Sequence, residues 1–124
     1  MKSAHPLNLA LRFLLELAAI LTFGYWGHSL TETGIRILLA VLFPLLFAVL
    51  WGVFAVKGDP SRSGKTVVQT PGIIRLALEL GLFGAAAWML LDLDLTWMAL
   101  VFGSAVVIHY FLSFDRIAWL LKQK

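Results

Sequence analysis

The sequence predicts an all-α polytopic membrane protein, a bundle of four transmembrane helices, and three observations lead there. Hydrophobic residues make up 60% of the chain and charged ones only 14%, with a mean hydropathy of +0.90, far from the usual soluble mix. Four apolar runs divide the chain, each close to the roughly 20 residues that a helix needs to cross a bilayer. The basic residues gather in one connection and one tail, whereas another connection has none. Four such spans leave no room for a folded soluble domain, so residues 1–124 read as a single transmembrane domain.

The first run, about residues 7–27, follows Lys2, His5 and Pro6. Its length, the charges of Arg12 and Glu16 inside it, and the missing small-x-small cleavage signal make it a retained helix rather than a signal peptide. Tyr25 and Trp26 close it with rings that favour the headgroup level, and residues 27–34 form a polar turn. The second run, about 35–56, carries Pro44, which is expected to kink it, and ends at Trp51-Gly-Val-Phe54. Residues 57–71 form a basic loop, with Lys57, Arg62 and Lys65 against one acid, Asp59. The third run, about 72–91, is rich in small residues, and Gly81 with Ala85 forms a small-xxx-small pair that lets helix backbones approach closely. An acidic connection, Asp92-Leu-Asp94-Leu-Thr96, leads to the fourth run, about 97–114. Beyond it, Asp115, Arg116, Lys122 and Lys124 surround an Ile-Ala-Trp-Leu-Leu segment suited to the interface.

Lysine and arginine set orientation in short-looped membrane proteins. The 57–71 loop, the C-terminal tail and Lys2 place both termini on the cytoplasmic side of a cell (inner or plasma) membrane, with only Arg36 against this. Tyr25, Trp26, Trp88 and Trp97 then mark the outer interface, and Trp51, Phe54, Phe114 and Trp119 the inner one. A net charge of +3 would point to nucleic acid in a soluble domain, but these charges sit at the ends of apolar runs, so the expected partner is the lipid bilayer and no nucleic acid. With no cysteine, thiol chemistry and disulfides are excluded.

The candidate site lies in two segments that repeat a pattern. Asn8, Arg12 and Glu16 form one stripe at i, i+4 spacing on the first helix, and Arg75 and Glu79 repeat the last two on the third. Arg12 to Arg75 and Glu16 to Glu79 are both 63 residues apart, about half the chain, which suggests two parallel helical hairpin repeats. Charges this deep cost roughly 2.5–3.5 kcal/mol each on insertion scales, so they need partners. Within each helix Arg precedes Glu, the less favourable order, so crossed pairs, Arg12 with Glu79 and Arg75 with Glu16, carry equal weight. A crossed pair predicts that exchanging the charges of Arg12 and Glu79 preserves folding better than either change alone. His109, in the middle of the fourth run, shares its face with Ser113 and Arg116 and is either a packing residue or a proton relay. His5 and His28 fall on opposite sides, so no three-histidine metal site is expected.

No catalytic set or cofactor signature is present. Gly58 to Thr66 approaches a phosphate-binding loop, but five residues separate its glycines and it lacks the flanking strand and helix. Three functions remain. A transporter of a small solute or ion would bind it at Arg12, Glu16, Arg75 and Glu79, with Asn8 and His109 beside them, and is favoured because two compensated charge pairs exceed what a scaffold of this size needs. A non-catalytic accessory protein would use these pairs as structural clamps and small-residue faces such as Gly81 and Ala85 to hold a partner helix or lipid; the expected protein partner is a homo-oligomer copy or a partner membrane helix. A membrane-embedded enzyme acting on a lipophilic substrate would need His109 and a carboxylate in one cavity and has least support.

Asn8-Leu-Ala-Leu-Arg12-Phe-Leu-Leu-Glu16-Leu, Gly24-Tyr-Trp-Gly27, Trp51-Gly-Val-Phe54 followed by Lys57, and Pro71-Gly-Ile-Ile-Arg75-Leu-Ala-Leu-Glu79 resemble the YrdB-type family of small four-span bacterial membrane proteins. The resemblance covers the first three helices. The longer polar loop after Lys57, and Asp115-Arg116, depart from it. It implies the four-span fold, with no characterised activity.

Overall fold

The computed structural model describes residues 2–62 and 64–124. A 3-10 turn (Lys2–Ala4) leads into α1 (Pro6–Ser29), where Pro6 occupies the first turn and the His5 ring accepts a hydrogen bond from the Leu7 amide. Then follow α2 (Ile35–Val53), β1 (Phe54–Ala55), β2 (Val68–Gln69), α3 (Gly72–Asp92), α4 (Thr96–Leu112) and α5 (Phe114–Leu121). The molecule is mostly helical. Helices α1, α2 and α3 are long and apolar enough to cross a membrane, and α4 with α5, bent by 68° at Ser113, makes a fourth span if counted as one.

Two boundaries differ from the sequence expectation. The second helix stops at Val53, because the chain turns extended and pairs in parallel with the loop's far end, Phe54 with Val68 and Ala55 with Gln69. So the chain carries a two-stranded ladder in addition to its helices. The fourth run breaks at Ser113, whose hydroxyl accepts from Asn8, and α5 turns away so that Arg116 and Leu120 are buried while Phe114 and Leu121 stay exposed. Pro44 leaves α2 continuous.

Arg12 meets Glu79 at one end of the bundle and Trp26 meets Asp92 at the other, so α1 and α3 run side by side in the same direction. Helix α2 returns along α1 through a close approach at Gly27, where an added Cβ would lie 2.6 Å from the Leu39 carbonyl oxygen. Gly72 is equally confined, its amide donating to Gln123 and its open side filled by the Leu120 backbone. Of the expected small-residue pair, Ala85 packs against the core, but among the described residues Cβ atoms at Gly81 and Gly84 would meet nothing within 4 Å, and those two positions point outward. The core is an aromatic layer linking Phe23 to Phe47 (5.1 Å between centroids), Phe47 to Trp51 (5.4 Å), Trp51 to Phe83 (5.0 Å) and Phe83 to Phe102 (5.9 Å). Such pairs add about 0.5–1.5 kcal/mol each beyond their buried area.

Candidate functional site

At the end of the bundle that carries both termini, Glu79 on α3 is 0% exposed, and three arginines and a tyrosine converge on it. Arg12 on α1 donates to both carboxylate oxygens, at 3.3 and 2.9 Å. Arg116 on α5 does the same at 2.9 and 2.7 Å. Arg75, one turn earlier on α3, adds its Nε at 2.6 Å, and the Tyr110 hydroxyl donates at 2.6 Å. A carboxylate offers about four lone-pair sites, so these donors saturate it.

Each arginine is also held elsewhere. Arg75 donates to the Trp51 and Phe54 carbonyls at the end of α2, groups with no helical partner once β1 begins. Arg116 makes a two-pronged pair with Asp59 from the loop, at 2.9 and 2.6 Å. Burial alone would raise the Asp59 carboxyl, but the Arg116 hydrogen bonds and charge, with help from Ser61, hold it below the usual carboxylate range. Trp51 packs against both Arg12 and Arg75, whose guanidinium carbons stand 5.0 and 4.8 Å from its ring, and its indole N–H donates to Glu16 at 2.8 Å. Three arginines thus face three carboxylates, Glu79, Asp59 and Glu16, and the charges cancel.

One of the two crossed pairs forms, Arg12 with Glu79; the other does not, since Arg75 stays with Glu79 on its own helix and Glu16 with Arg12 at 3.5 Å. An arginine at position 79 would face Arg75 and Arg116, so exchange with Arg12 gives no rescue.

His109 is 1% exposed, with both ring nitrogens engaged: Nε2 lies 3.4 Å from Arg12 and Nδ1 3.0 Å from the Asn8 side-chain oxygen. Arginine can only donate, so Nε2 accepts and the ring proton sits on Nδ1, which makes the histidine neutral. Asn8 passes the network on to Ser113 at 2.9 Å and to the Ser3 carbonyl at 3.0 Å, and Ser3 holds Asp115. All six candidate residues therefore lie in one cluster.

Sequence reasoning missed Arg116, Asp59, Tyr110 and the inward position of Trp51, which it had placed at the interface. Asp59 as the single acid of a basic loop, and Arg116 just past an apolar run, were the available signals. Two cavities open on α1, and one of them touches the cluster. One of about 390 Å³ reaches Arg12 and Glu16 from the loop side, and an apolar one of about 860 Å³ lies between α1 and α4, along Leu15, Ala18, Thr22, Trp97 and Phe102. Among the described residues no group of His, Asp or Glu could hold a metal ion.

Fold and cluster define a class: a small helical protein with membrane-spanning-type helices, closed at one end by a neutral Arg/Glu/Asp network. The model of a family described as "Protein of unknown function (DUF2568)" matches residues 10–108. The chain is also 37% identical over 123 residues to the "Uncharacterized protein YrdB" of Bacillus subtilis (strain 168), covering 99% of this chain and 100% of that protein. The chain belongs to this YrdB-type, DUF2568 family. No solved structure matches it.

Proposed function

We propose that the protein is a non-catalytic binding or accessory protein of the cell membrane, with four spans, duplicated hairpins and both termini cytoplasmic, in which the Arg/Glu cluster is a clamp. One observation carries this: Glu79 is fully buried and saturated by Arg12, Arg75, Arg116 and Tyr110, which leaves no lone pair for a ligand. The clamp gathers α1, α3, α5 and the loop into one cytoplasmic platform. Beyond it toward the acidic end, Phe23, Phe47, Phe83 and Phe102 fill the interior where a solute would have to pass. Glu79→Gln tests the clamp. It should lower the melting temperature and the monodisperse yield in nanodiscs together, whereas a wild-type melting curve would refute it. A second copy of the chain would pack on the outward face of α3 at Gly81 and Gly84, and Gly81→Leu should then lower the oligomer fraction seen by cross-linking while the fold persists.

The cleft beside Glu16 favours a second reading, transport of a small solute or ion, since it brings the loop side into contact with two cluster residues. Transport would require the aromatic layer to part. Flux in proteoliposomes that falls with Glu16→Gln, without loss of folded protein, would favour it over the clamp.

A further inference from the structure

The 390 Å³ cleft lies between α1 and the turn at residues 60–62, walled by Leu9, Arg12, Phe13, Glu16, Ser61 and Arg62. Its two signs of charge are unevenly engaged. Glu16 commits Oε1 to Trp51 and Arg12, while its side chain keeps 25% of its surface open, and among the described residues no hydrogen bond engages Oε2. Among the described residues the Arg62 side chain reaches only two backbone carbonyls, Gly52 at 3.2 Å and Lys65 at 3.4 Å. A guanidinium has five N–H donors, so most of this one remains open. On the outer side of the cleft stand Leu9 and Phe13, the latter 61% exposed, so the cavity opens along the flank of α1 that faces lipid.

We propose that this cleft binds one phospholipid headgroup that carries both a primary ammonium and a phosphate, the phosphoethanolamine type. The ammonium donates to Glu16 Oε2, the phosphate takes the free edge of Arg62, and the acyl chains run along Leu9 and Phe13. A compact ammonium has three N–H donors for a carboxylate, and a planar guanidinium matches two phosphate oxygens. A choline headgroup has no N–H to give Glu16, and a glycerol headgroup brings no cation to it. The assignment rests on the clamp reading, because Arg12 is bound by Glu79 and His109 and reaches Glu16 only at 3.5 Å, which leaves Oε2 for the ligand.

The test is native mass spectrometry of the protein released from nanodiscs with equal amounts of phosphatidylethanolamine, phosphatidylglycerol and phosphatidylcholine. Wild type should retain phosphatidylethanolamine about tenfold over either competitor, the factor that about 1.4 kcal/mol supplies. Glu16→Gln and Arg62→Ala should each abolish the preference. Arg62 meets the cluster only through its backbone amide, which donates to the Asp59 carbonyl and is kept in Arg62→Ala, so that variant remains decisive if Glu16→Gln fails to fold. Equal retention of the three lipids by wild type, or a preference that survives Arg62→Ala, overturns the proposal. Soluble phosphoethanolamine at millimolar concentration should leave the bound lipid in place; displacement would make the occupant a soluble zwitterion and overturn the lipid. Failure of the clamp is read separately, from the melting of Glu79→Gln.

Discussion

Replacing Glu79 by glutamine exchanges one carboxylate oxygen for an NH2 group and exposes the logic of the cluster. The Oε2 position accepts from Arg12, Arg75 and Arg116 at 2.9, 2.6 and 2.7 Å, and in glutamine it can become an amide NH2 that donates toward the same three cations. If the amide flips, Arg12, Tyr110 and Arg116 meet the same conflict at Oε1. Either way three arginines remain against two carboxylates. Removing one partner of a buried ion pair costs about 3–5 kcal/mol, and the losses at Glu79 are shared among its donors, so the variant should lose about that amount rather than a multiple of it. The assay is SDS titration in mixed micelles followed by circular dichroism and tryptophan fluorescence, with Trp51 as internal reporter. Adding Arg12→Gln restores charge balance, two arginines against Glu16 and Asp59, so the double variant should be more stable than the sum of the singles by about 1–2 kcal/mol. Strictly additive losses, or a Glu79→Gln loss below about 1 kcal/mol, a typical net hydrogen bond, would refute the clamp.

Three further outcomes are expected. Asp59 is held below its ordinary range, so its contribution to stability is complete above the unfolded value of about 3.9 and is lost as pH falls through the lower folded value. A melting series from pH about 7 to about 3 should therefore drop at the acid end, and Asp59→Asn should start lower and show a flatter limb. Trp51→Phe keeps a ring against Arg12 and Arg75 but drops the bond to Glu16, for a loss of about 1 kcal/mol by the same titration. Trp51→Leu, which removes both cation–π contacts, should lose at least about 2 kcal/mol more. Gly27→Ala should weaken the α1–α2 contact and the melting temperature, whereas Gly81→Ala should leave the melting temperature unchanged.

The parts legible in the sequence are those with short-range periodicity. Apolar runs gave α1 and α3 nearly to their ends, and the i, i+4 spacing put Asn8, Arg12 and Glu16 on one face and Arg75 with Glu79 on another. Two helices side by side with charges at equal depth allow Arg12 to reach Glu79, on equal terms with pairing inside each helix. Arg116 and Asp59 were not legible, because their meeting with Glu79 depends on a 68° bend at Ser113 and on a loop folded back over the helix ends. Neither has a local period. The end of α2 was misplaced for a related reason: Trp51 and Phe54 look like the last turn of an apolar run, but Arg75, 21 residues beyond Phe54, takes their carbonyls.

The same long-range contacts explain why α2 stays in place. Only Phe47 of its 19 residues is fully buried, with Phe43, Leu50 and Trp51 half-buried against the core, and between apolar helices a bilayer supplies little further drive. Two devices compensate: backbone contact at Gly24 and Gly27 along α1, and the Arg75 guanidinium on the carbonyls at its end. The second is sensitive to charge elsewhere, because Arg75 is oriented by Glu79. Exchanging Arg12 and Glu79 would turn the group that orients Arg75 into one that repels it, and the last turn of α2 would lose its cap. The exchanged variant should thus be less stable than Glu79→Gln. Spin labels introduced by Leu46→Cys on α2 and Leu17→Cys on α1, both exposed in wild type, should report a broadened separation between the two helices. A wild-type separation in the exchanged variant would mean that the Gly24 and Gly27 contacts and the aromatic pairs hold α2 without the Arg75 cap.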